Sequence, residues 1–98
     1  MANFFTQVLS GEVQGGTTAA QLPDIPCAAV NIKALADNSG NVYIGGENVT
    51  KPDGITDETS GFELDAGQET GWIEVANLNW LWMITDNNGD DITYMVLK

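Results

Sequence analysis

The chain has 98 residues, of which 14 are acidic and only three basic, all Lys, with no His and a formal net charge of −11. That length fits one domain with a small core, burying roughly 64% of the unfolded surface, and 43% apolar residues are too many for a disordered chain. Three Lys cannot neutralise a phosphate backbone, so nucleic-acid binding is disfavoured; the lack of His removes the commonest general base and metal ligand.

Taken in chain order, the N-terminus Met1-Ala2-Asn3-Phe4-Phe5-Thr6-Gln7-Val8-Leu9 has no basic lead and no long apolar stretch, so it does not read as a signal peptide. Phe4–Leu9 reads as a first strand, and Gly11 to Ala20 as flexible. Pro23 and Pro26 bracket a fixed corner, because each locks φ and lacks a ladder donor. Ala28–Leu35 alternates, with Val30, Ile32 and Ala34 on one face and Asn31 and Lys33 on the other. Asp37-Asn38-Ser39-Gly40-Asn41 is a turn, followed by a strand at Val42-Tyr43-Ile44 and a stop at Gly45-Gly46.

Glu47–Gly61 reads as irregular. Phe62-Glu63-Leu64-Asp65 alternates, Ala66–Glu69 turns, and Trp72–Ala76 alternates again. Leu78–Thr85 and Ile92–Leu97 are the last two strands, and Asn88-Gly89 between them predicts a hairpin. β-Branched and aromatic residues fill the apolar segments, and no helical stripe competes. The fold class is therefore all-β: an antiparallel sandwich or barrel of seven to eight short strands. No run approaches the ~18 apolar residues of a membrane span. The single Cys27 cannot form an internal disulfide, which points to synthesis in a reducing cytoplasm.

One segment departs from simple alternation. In Asn79-Trp80-Leu81-Trp82-Met83-Ile84, Trp80, Trp82 and Ile84 share one face, and Leu81 and Met83 the other. Both faces are apolar, so both need cover. One side is the sandwich; the other falls to a loop, to residues 1–22 or to another chain. Leu81 and Met83 are expected on the outward face.

The candidate chemistry is weak. Asp86-Asn87-Asn88-Gly89-Asp90-Asp91 spaces oxygens as a calcium loop does, but Asp91 and Leu97 stand where that loop needs Gly and Glu. A solvated turn is the simpler reading. Fourteen acids make chance carboxylate pairs inevitable, so pairs alone do not mark a glycosidase. Cys27 has no His to activate it. Trp72, Trp80 and Trp82 are core or interface fillers, or else a row that stacks on sugars.

Five stretches carry a resemblance: Leu22–Val30, Asn38–Gly46, Phe62–Glu69, Leu78–Trp82 and Gly89–Tyr94. In order, they resemble the small jelly-roll-like capsid cement (decoration) proteins of tailed bacteriophages. The resemblance covers most of 22–98, the sandwich, and leaves 1–21 as an N-terminal arm or first strand of a single overall domain. It implies a non-enzymatic virion protein made in the host cytoplasm, without cofactor or metal, on the outer surface of the head. There it would bridge subunits of the major capsid protein, itself a dimer or trimer, with no nucleic-acid or membrane partner. The interface candidates are Phe4, Phe5, Leu22, Trp80, Leu81, Trp82 and Met83. Alternatives are another phage accessory (head-fibre base, tail or baseplate component) and a small glycan- or cation-binding β module.

Overall fold

The structure, a computed structural model, describes residues 7–55 and 59–98. Among these residues eight strands follow in order: β1 (Val8–Gln14), β2 (Ala20–Gln21), β3 (Ala29–Ala34), β4 (Val42–Gly45), β5 (Phe62–Leu64), β6 (Glu69–Ile73), β7 (Trp82–Thr85) and β8 (Asp91–Leu97). They form two antiparallel sheets, ordered β1-β8-β3-β6 and β2-β7-β4-β5. This is the all-β sandwich that the spacing of turns predicts, with the strand order of a jelly roll. Every connection except β4–β5 crosses from one sheet to the other. No helix among the described residues is long and apolar enough to cross a membrane.

The period-two pattern decides what fills the core. Val30, Ile32 and Ala34 of β3 and Ile92 and Val96 of β8 have no exposed surface, while their neighbours Asn31, Lys33 and Met95 point outward. Val42, Ile44, Leu64 and Met83 face them from the second sheet, and Leu22 and Leu78 join the same cluster. Each such side chain contributes about 1.5–3 kcal/mol by leaving water.

Three expectations change. The first concerns the N-terminal stretch. Residues 8–14 pair with β8 in unbroken register from Val8↔Leu97 to Gln14↔Asp91, and Ala20 and Gln21 pair with β7. The segment read as flexible therefore supplies an edge to each sheet. Gly11 stands mid-strand because Tyr94 lies over it: a Cβ there would come within 2.5 Å of the phenolic oxygen.

The second concerns Leu78–Thr85. Leu78–Trp80 is a 3₁₀ turn, not strand, because the Asn77 side chain captures the backbone. Asn77 Oδ1 accepts from the Asn79 and Ile25 N–H groups at 2.9 and 3.1 Å, and its amide donates to Asp24 at 2.8 Å. Pairing starts only at Trp82. Met83, expected outward, is 1% exposed in the core, and Leu81 packs against the same cluster. Ile84 and Trp82 take the opposite face, where Val49, Tyr43 and Ala19 cover them. The irregular 46–61 stretch thus supplies the missing cover through Val49.

The third concerns Asn88-Gly89. It joins strands of different sheets, so it is an arch over the end of the sandwich and not a hairpin.

These placements separate two substitutions that the sequence alone treats alike. Met83→Ala leaves a cavity and should lower stability by about 2–5 kcal/mol. Trp80→Ala removes a side chain that is 61% exposed and should cost less than about 1 kcal/mol. Urea unfolding of both variants checks the difference; equal losses would contradict it.

Candidate functional site

The arch between β7 and β8 is the richest polar cluster. Asp90 is 5% exposed, and its carboxylate accepts the backbone N–H groups of Ser39 and Gly40 at 3.0 Å each. The Ser39 hydroxyl and the Asn87 amide donate to it at 3.3 Å. Asp86 Oδ2 accepts the Asn41 N–H at 2.9 Å. Gly15 N–H donates to the Asp90 carbonyl at 2.8 Å, Thr85 N–H to the Gly16 carbonyl at 2.9 Å, and Thr17 N–H to Asn88 Oδ1 at 3.0 Å. Asp86 Oδ2, Asn88 Oδ1 and both carboxylate oxygens of Asp90, which suggested a calcium loop, therefore already accept from donors of the chain itself. Among the described residues no group of three or more His, Cys, Asp or Glu is placed to hold a metal ion.

The electrostatics follow from this. Burial pushes the Asp90 carboxyl up, but the N–H groups of Ser39 and Gly40, the Ser39 hydroxyl and the Asn87 amide favour the charged form more, so it lies below the ordinary value of 3.8. Glu12 moves the other way: a hydrogen bond shared with Asp91, then burial, then the charges of Asp91 and Asp37 raise it. The Cys27 thiol donates to the Val75 carbonyl at 3.3 Å, and burial raises it further from the thiolate.

The five interface candidates among the described residues do not form one surface. Phe4 and Phe5 lie outside the described residues. Leu22 (2% exposed) and Met83 (1%) belong to the core of the chain itself. Leu81 and Trp82 are half-buried against different clusters. Trp80 alone of the described five stands out, on the 3₁₀ turn beside Cys27, Glu74 and Ala76. It lies at the end of the sandwich opposite the arch, where β4 finishes and β5 begins. Phe62, at the start of β5, is 63% exposed at that same end.

A second surface was not anticipated as a site. On the outer face of β1-β8-β3-β6, Ser10, Met95, Asn31 and Trp72 lie in one cross-strand row, and Glu12, Thr93, Lys33 and Glu69 in the next. A groove of about 420 Å³ runs over Ser10, Asn31, Lys33, Glu69, Thr93 and Met95. Asn31 Nδ2 donates to Glu69 Oε1 at 3.1 Å, while Asn31 Oδ1 is buried with no partner. Trp72 and Met95 are half exposed. The signal for Trp72 was available: its neighbour Ile73 packs inward, and alternation sends the indole out.

Comparison with known proteins adds no likeness: no family model, no curated protein and no solved structure matches the chain.

Asp90→Asn tests the arch. Replacing the carboxylate should cost roughly 1.5–3 kcal/mol at neutral pH, because an amide turns hydrogen toward N–H groups that the charged oxygens now accept. A lowered folded pKa adds stability above the unfolded value, and that stability is lost as pH falls through the folded one. The deficit of the variant should therefore narrow below pH of about 4. Urea unfolding across acid pH measures it; a deficit independent of pH would contradict the account.

Proposed function

We propose that the chain is a structural virion protein that docks on the outer surface of a phage head and stabilises it by bridging major capsid subunits. The observation that carries the reading is Trp80, an indole 61% exposed at one end of a sandwich whose two apolar clusters are already closed without it. An exposed aromatic on a firm turn is the kind of anchor that dominates protein interfaces. Phe62 extends apolar surface at the same end.

Charge supports the outer position. A net charge of −11 is repelled by packaged DNA and attracted to a basic protein surface. Binding the assembled shell and not its unfolded subunits stabilises it by mass action, and many copies multiply a weak contact. The open edge of β1, seven residues long and free of bulges, supports strand addition by a sister subunit in a dimer or trimer.

The test is co-sedimentation with purified expanded heads of the phage that carries the gene. The wild-type chain should pellet with heads, and Trp80→Ala should weaken binding about tenfold or more with an unchanged unfolding midpoint. Failure of the wild type to pellet would overturn the reading. Recovery on tails instead would reassign it to a tail or baseplate accessory.

A further inference from the structure

We infer that the outer face of the β1-β8-β3-β6 sheet is a binding site for a neutral oligosaccharide, independent of the docking end at Trp80. Four observations meet there. A groove of about 420 Å³ lies on the face, within the roughly 300–1,000 Å³ of small-ligand sites. It is lined by side chains of complementary hydrogen-bonding character: Lys33 only donates, ionised Glu69 only accepts, and Ser10, Asn31 and Thr93 do both. Asn31 Oδ1 is a buried acceptor that no donor among the described residues reaches, and such a group costs stability. Trp72 is the cross-strand neighbour of Asn31 on the same face, with its indole 50% exposed.

A pyranose fits this combination. Its hydroxyls both donate and accept, so one ring can bond to Glu69, Lys33 and Thr93 together. Its C–H face is apolar and lies against an indole or the Met95 side chain, as ligands do on aromatic platforms. The row Ser10–Met95–Asn31–Trp72 crosses four strands, roughly 14 Å, which suits a chain of sugars better than one. The charge selects among sugars: Glu69 and Glu12 flank Lys33, and a chain of −11 disfavours sulfated or uronic polymers. Nucleotides are disfavoured by the same count.

The full chain is tested on a printed array carrying neutral and acidic glycans, and each hit is titrated by calorimetry as the free oligosaccharide. Neutral oligosaccharides should bind and acidic ones should not. Trp72→Ala should weaken binding at least tenfold, Glu69→Gln should weaken it less, and Trp80→Ala should leave it unchanged. Unfolding midpoints of all three establish that the variants fold; Glu69→Gln, on an exposed side chain, carries the test if Trp72→Ala does not. No binding across the array overturns the site, and so does binding that Trp72→Ala and Trp80→Ala reduce equally. If Trp72→Ala abolishes head binding and no glycan binds, the face is a protein-docking surface and the assignment falls. Head sedimentation by the Trp80→Ala variant is scored separately, so failure here leaves the capsid reading standing.

Discussion

The structure depends on the grip of one carboxylate. Asp90 sits where the chain leaves β7 in one sheet to enter β8 in the other, and it holds the Ser39 and Gly40 amides from the β3–β4 connection. The neighbouring Gly15 and Gly16 bond to the same arch from the β1–β2 connection. Three crossings between sheets are thus tied at one end. In a jelly roll almost every connection is such a crossing, so no local hairpin fixes the spacing of the sheets. A buried charge that satisfies donors from a second connection does so instead, at a desolvation cost that its hydrogen bonds offset.

With that end closed by polar bonds, apolar residues are free to gather elsewhere. The inner faces close over each other, and Val49 seals Tyr43 and Ile84 on the outside of the second sheet. What is left over is specific: Trp80 and Phe62 at the far end, Trp72, Met95 and Val8 on the outer face of the first sheet, and Ile55 in the 46–61 stretch. None of these completes either cluster. Two of these exposed surfaces differ in character. The far end exposes the Trp80 indole; the outer face sets the exposed Trp72 beside a groove lined by Ser10, Asn31, Lys33, Glu69, Thr93 and Met95.

The fold class was legible because period-two alternation in Val30–Ala34 and Ile92–Val96 is strict, and because turn residues separate every strand. The pairing was less so. Asn-Gly marks a reversal of direction but does not say whether the chain returns to its own sheet, and here Asp90 draws it across to the other. Gly11 reads as part of a flexible segment because nothing local shows that Tyr94, over eighty residues later, needs the space of its missing side chain. The doubly apolar β7 did announce that cover was needed. It did not reveal that Asn77 would bend Leu78–Trp80 into a 3₁₀ turn, which moved Trp80 off the strand, nor which of its two apolar faces, the one with Met83, would turn to the core. Hence the candidate surface was legible only in part: Trp80 emerges from it, while Leu22 and Met83 belong to the core.

In the proposed reading, a sandwich tied at one end and exposing Trp80 at the other would add stiffness to a shell without changing itself. With three Lys against 14 carboxylates, its charge favours a basic protein surface over nucleic acid as a partner in that reading. The most direct measurement is a cryo-electron-microscopy reconstruction of expanded heads incubated with the protein. The account predicts extra density on the outer surface, spanning neighbouring capsid subunits, with the Trp80 end seated on the shell. Bare heads, or density that meets the capsid through the Asp90 arch with Trp80 in solvent, would contradict it.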